Sequence, residues 1–204
     1  MRLVSFSVEN YRSITKAKRL RIGQTTVLVG PNNEGKSNLL KALVAAMDVL
    51  TRPPITNTGF KTGTGRVVYT TRHRPGQYNW KHDFPISLQG SRPNGESVIN
   101  LEFELDDSEI GDFRAEIRSA LNGTLPLRIS LGRQTSSIAV AKRGRGGKAL
   151  TLKSSRIAHF VSKRVQFRHI PAIRTATLAD DVVAPMVARV LLTVEAIPAY
   201  QTAQ

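Results

Sequence analysis

The chain has 204 residues, 40% hydrophobic and 22% charged, which is enough for one globular domain and too apolar for a disordered one. It contains no cysteine, which excludes disulfides, thiolate zinc sites and thiol nucleophiles; 30 Lys+Arg against 15 Asp+Glu give a formal charge of +15 and a pI near 10.9. The surplus is uneven, with thirteen basic residues and no acid over 117–179 and six and none over 51–82, a field that suits a polyanionic partner, nucleic acid first, or an acidic protein chain.

In chain order, residues 3–8 alternate apolar and polar, as a half-buried strand does. The start turns polar at Ser7 and carries Glu9. It therefore lacks the apolar core of a signal peptide. No apolar run approaches the roughly 20 residues of a membrane span; a cytoplasmic protein with no membrane partner is expected. The stretch 10–14 breaks the alternation, and 20–22 forms a second short strand. Residues 25–29, Thr-Thr-Val-Leu-Val, have the β-branched, apolar composition of a buried central strand. A glycine-bounded loop follows at 30–35. Leu39, Leu40, Leu43, Ala46, Met47 and Leu50 then recur at helical spacing, which predicts a helix over 37–50, stopped by Pro53 and Pro54.

Residues 55–96 are rich in Gly, Pro, Thr and Asn, with a strand-like piece at 67–69. Residues 97–105 alternate cleanly and predict a strand of an antiparallel sheet, half-exposed rather than central. A helix is expected over 107–121, an alternating strand over 125–131, and a hairpin from 137–142 and 149–153 around the basic turn 143–148. A short helix over 156–163, a strand over 165–170 ended by Pro171, and a helical tail over 178–197 complete the reading. The four histidines, His73, His82, His159 and His169, have no metal-ligand spacing.

Gly30-Pro31-Asn32-Asn33-Glu34-Gly35-Lys36-Ser37 fits the phosphate-loop pattern G-x-x-x-x-G-K-[ST]. Gly30 permits the exit from a strand, and Gly35 lets the backbone approach a phosphate. Loop amides and the helix N-terminus present N–H groups to an anion. Lys36 is expected at the β- and γ-phosphates of a nucleoside triphosphate, ATP, and the Ser37 hydroxyl at Mg²⁺. An apolar strand before the loop and an amphipathic helix after it are the context that supports the motif.

The longer string from Gly30 through Asn38 to Leu43 resembles the Walker A region of RecF/SMC-like ABC-type ATPases, and within them the overcoming-lysogenisation-defect (OLD) family. Asn10-Tyr11-Arg12-Ser13-Ile14 is similar to the turn that precedes Walker A by about twenty residues in those proteins. The resemblance is strongest over the first fifty residues; the strings at 78–85 and 169–174 echo the same heads. It implies that Arg12 contacts the nucleotide phosphates, with a surface arginine as the alternative. It also implies that Asp83 or Gln89 occupies the Mg²⁺-sensing loop, with ordinary loop residues as the alternative. Arg174 is left between a DNA or partner contact and a plain salt bridge.

Heads of that kind also carry a signature motif and a Walker B strand ending in Asp-Glu, and neither is found. Residues 101–107 and 190–195 end in acids but alternate or follow a helical pattern. The expected architecture is an α/β P-loop NTPase, an ABC-type head lobe with a mixed sheet and an antiparallel part, forming a single domain over 1–204 as an incomplete head. Within it, 1–54 hold the first strands, Walker A and its helix, 55–175 the β-rich basic part, and 176–204 the tail. The expected function is ATP binding with little turnover, in DNA processing, repair or phage defence, with DNA and a second copy or a partner ATPase or nuclease chain. A complete small P-loop kinase and a non-enzymatic basic nucleic-acid-binding protein are the alternatives.

Overall fold

The computed structural model describes residues 1–31, 35–51, 59–61, 67–70, 78–141, 147, 149–150, 152–170 and 187. Asn32, Asn33, Glu34, the basic turn at 142–146, Arg174 and nearly all of the tail lie outside these. Met1–Phe167 forms one compact unit and Arg168–Gln204 a second; every element below belongs to the first.

Alternation makes the sheet. In β1, Arg2–Tyr11, the side chains of Phe6, Val8 and Tyr11 are buried. β1 pairs antiparallel on one side with β2, Ile14–Arg21, and on the other with β5, Ser97–Glu104. β6, Thr124–Leu131, pairs with β5, and β7, Thr135–Val140, with β6. Two short strands, β3 at Gly59–Lys61 and β4 at Val67–Thr70, complete a seven-stranded sheet in the order β2-β1-β5-β6-β7-β4-β3. One face is apolar: Phe6 and Val8 of β1, Ile99, Leu101 and Phe103 of β5, and Leu125, Leu127 and Ile129 of β6 are at most 2% exposed. Two helices pack beside each other there, α1 at Lys36–Thr51 and α5 at Ser154–Arg164. α1 contributes Ala42, Ala46, Met47 and Leu50 to the core.

The intervening helices are short. α2 at Trp80–Asp83 and α3 at Ile86–Gln89 precede β5. α4 at Asp107–Ile117 opens with a capping box, in which the Asp106 side chain accepts from the Glu109 amide and Glu109 reaches back to the Asp106 amide. The Glu109 amide first, then the Ser108 hydroxyl, holds the Asp106 carboxyl below its ordinary pKa. α4 ends at Arg118 in the left-handed conformation. Phe113 of α4 meets Phe160 of α5 edge to face at 5.2 Å, a geometry worth about 0.5–1.5 kcal/mol beyond its area.

Four expectations change. Residues 25–29 are not a buried strand: they run without strand pairing, with Val27 75% and Val29 88% exposed. Composition supplies propensity, but a strand needs a neighbour to complete its hydrogen bonds, and no described strand lies alongside. Of the expected mixed sheet the described residues hold the antiparallel part, every pairing among them being antiparallel. The stretch 165–170 likewise carries no strand, although Val165 and Phe167 rest against the core. The expected second hairpin strand at 149–153 is instead helical at 149–150, followed by a turn that leads into α5, and Leu150 is buried. Finally, β5 is interior to the sheet, because alternation reports the two faces of a strand and says nothing of its lateral neighbours.

The loop before β5 contains a close approach that sequence reading passes over. Trp80 stacks on Phe84 at 5.1 Å and donates its indole N–H to the Gly95 carbonyl at 2.7 Å. A Cβ on Gly95 would lie 2.2 Å from Cζ of the fully buried Phe84 ring. Gly95→Ala is therefore expected to cost about 1–3 kcal/mol, the range for overpacking. Urea unfolding should show a lower midpoint at unchanged slope; an unchanged midpoint would mean the ring yields freely.

Candidate nucleotide-binding site

The phosphate-loop residues sit where extended chain enters α1. Gly30 and Pro31 are exposed, Gly35 is buried, and Ser37 is exposed at the start of the helix. The first helical hydrogen bond runs from the Leu39 amide to the Gly35 carbonyl at 2.9 Å. By helix geometry the amides just ahead of it have no intrahelical acceptor, and the helix dipole places positive charge there. The Lys36 ammonium reaches back and donates to the carbonyls of Gly30 and Pro31. Gly35 has φ +88°, a conformation glycine adopts at little cost.

The two sequence motifs touch. The Asn38 side-chain amide donates to the Ser13 hydroxyl at 2.9 Å. Ser13 and Ile14 are also the atoms nearest to where a Gly35 Cβ would stand, at 3.5 and 3.7 Å. The β1–β2 turn therefore braces the loop and the first turn of α1, and Asn38 is engaged with that turn. This turn is tight: Asn10 and Arg12 both have positive φ, 54° and 50°.

Arg12 is held from below. Its guanidinium donates through Nε to Asp83 Oδ1 at 2.7 Å, with NH2 also at 2.7 Å, and its amide donates to the Asp83 carbonyl at 2.6 Å. Asp83 is buried and also accepts from the Asn79 amide at 2.7 Å. Burial disfavours the Arg12 charge, but the Asp83 hydrogen bond and the fields of Tyr11 and Asp83 outweigh it, and the pKa is raised. Arg12 is a fixed cation, about one third exposed, on the turn that braces the phosphate loop.

Behind it lies a buried phenol network. Ser97 donates to the Asn10 carbonyl at 2.5 Å, so the Tyr78 hydroxyl, 2.9 Å away, donates to Ser97. Burial first, and then the Asp83 charge, pushes the Tyr11 pKa up to about 12. Burial likewise raises that of Tyr78. Both phenols stay neutral at physiological pH.

As for Mg²⁺, the Ser37 hydroxyl is open to solvent and chemically suited to the ion. Asp83 accepts from Arg12 on one carboxylate oxygen and from the Asn79 amide on the other. The Gln89 amide donates to the carbonyls of Lys81 and Phe84, each at 3.0 Å, and closes the α2–α3 corner. No group of three or more potential ligating side chains occurs among the described residues.

A glycine-bounded phosphate loop opening a helix, on an antiparallel sheet with flanking helices, defines an α/β P-loop nucleotide-binding domain. Residues 1–168 match the family described as "AAA ATPase domain". The chain belongs to that ATP-binding family, and the match ends within one residue of the compact unit Met1–Phe167. Among solved structures, one reported under "Structural biochemistry of ATP-driven dimerization and DNA stimulated activation of SMC ATPases" is similar at 14% identity and a TM-score of 0.42, covering 95% of this chain and 98% of that one. No curated protein matches. None of the helices described is long and apolar enough to cross a membrane.

Proposed function

We propose that this chain is the nucleotide-binding lobe of an OLD/RecF-like ABC-type ATPase head that works on DNA, in processing, repair or phage defence. ATP·Mg²⁺ binds at Gly30–Ser37, with Lys36 and Arg12 on the phosphates and Ser37 on the metal. The carboxylates that activate water come from outside the described lobe, on a partner ATPase or nuclease chain. The reading is carried by Lys36 at the start of the helix, bonded back to the Gly30 and Pro31 carbonyls, and by Asn38 and Ser13, which join the two motifs. The exposed, unpaired Val27 and Val29 support the need for completion, since such residues suit a strand buried on both faces. The antiparallel sheet and the family match favour this over a small kinase.

The test is nucleotide binding and turnover by the purified chain. One ATP should bind per chain, more weakly when Mg²⁺ is chelated. Ser37→Ala should bind ATP about as weakly with Mg²⁺ as the unaltered chain does without it. Phosphate release should stay near background until a completing chain is added. No ATP binding defeats the whole reading; brisk hydrolysis by the chain alone defeats the shared-site part.

A further inference from the structure

By the alternation of a strand, the face of β5 turned to the core carries Ser97, Ile99, Leu101 and Phe103. Three of these are apolar; Ser97 is not, although it is as fully buried as they are. A buried hydroxyl costs stability unless it is hydrogen-bonded. Ser97 makes two such bonds, donating to the Asn10 carbonyl and accepting from Tyr78, which is itself buried. An apolar pair of the same shape would fill this space about as favourably. What the two hydroxyls add is direction, and they aim at one carbonyl.

That carbonyl belongs to the turn that braces the phosphate loop. β1 pairs with β5 as far as Glu9 and Val98, and Asn10 is the next residue. Asn10 and Arg12 both have positive φ. Residues other than glycine are strained there and keep the conformation only where their surroundings hold them. The segment 78–97 holds both. Ser97 donates to the Asn10 carbonyl, while Asp83 accepts the Arg12 amide on its own carbonyl and the Arg12 guanidinium on its carboxylate. Past the turn, the Ser13 hydroxyl accepts from Asn38, and Ser13 and Ile14 stand beside Gly35. Direct contacts therefore run from Tyr78 through Ser97 and the turn to the first turn of α1.

We infer that Tyr78 and Ser97 are positioning residues for the nucleotide site. They fix the turn at Asn10, and through Ser13 the turn fixes the phosphate loop. A phosphate loop binds through the aim of its backbone amides. A brace that holds those amides in place raises affinity by preorganisation, without adding a contact to the ligand. The inference rests on the reading of Gly30–Ser37 as an ATP site, and it is independent of whether Arg12 touches the phosphates.

The experiment is titration of the full chain with a fluorescent ATP analogue and Mg²⁺, at a temperature where melting curves show each variant folded. Ser97→Ala should bind about 10-fold more weakly, the size of one lost hydrogen bond. Tyr78→Phe leaves Ser97 able to donate to Asn10 and frees only its direction, so it should lose about 3-fold. Val140→Ala truncates a buried side chain on β7, three strands from β1; it should be less stable yet keep its ATP affinity within about 2-fold. Ser13→Ala combined with Ser97→Ala should lose clearly less than the product of the two single losses, because both act on one brace. If Ser97→Ala cannot be kept folded, Tyr78→Phe and its combination with Ser13→Ala decide in the same way. Affinities equal to that of Val140→Ala, or losses that multiply fully with Ser13→Ala, would overturn the positioning role and leave the ATP site standing. No ATP binding by the unaltered chain would defeat the nucleotide reading itself, and this inference with it.

Discussion

Lys36→Ala is expected to weaken ATP binding about 100-fold while leaving the fold intact. The ammonium donates to the carbonyls of Gly30 and Pro31, both on exposed residues where water can replace it. Stability should change by less than about 0.5 kcal/mol, as for surface substitutions generally. Binding is different, because in a phosphate loop this cation faces the β- and γ-phosphates. A hydrogen bond to a charged group contributes about 1.5–3 kcal/mol, and the upper end corresponds to about 100-fold in affinity. Titration of a fluorescent ATP analogue, with melting curves of both proteins, separates the two effects. Equal affinity in two equally stable proteins would remove Gly30–Ser37 as the binding site.

Legibility of the site followed from the nature of its signals. The phosphate loop is a local motif whose residues act through their own backbone, so Lys36 and Ser37 can be read without the rest of the fold. The bracing of that loop is not local. Ser13 meets Asn38 across 25 positions, and Arg12 meets Asp83 across 71. Sequence spacing offers no way to know that Asp83 meets an arginine so far away in the chain. Gly95 is similar, since its need for glycine comes from the Phe84 ring and not from a turn.

For the fold, alternation located β1, β5, β6 and β7 within a few residues because one face of each is buried in a common core. It misled at 25–29, where continuous apolar character suits a strand covered on both faces, and the described residues leave Val27 and Val29 open. It also missed most of β2, whose exposed Lys and Arg positions mask a strand fixed by the turn at Arg12 and Ser13.

Asp83→Ala tests whether Arg12 reaches the nucleotide or only ties the turn. The substitution leaves the guanidinium and the Asn79 amide without their acceptor. Breaking a buried ion pair costs about 3–5 kcal/mol; with Arg12 one third open to solvent, about 2–3 kcal/mol is expected. The Tyr11 phenol reports the same event. Burial is the main cause of its pKa near 12 and the Asp83 charge the second, so removing the carboxylate should lower that pKa, seen as earlier ionisation in an ultraviolet titration. Nucleotide affinity then decides the role. If Arg12 meets the phosphates only while Asp83 aims it, then Arg12→Ala, Asp83→Ala and the double variant should lose comparable ATP affinity, since the pair acts as one unit. If Arg12 is a structural tie, all three proteins should be less stable yet bind ATP as tightly as the unaltered chain at temperatures where they remain folded. Phosphate contact through Arg12 stands only on the first pattern.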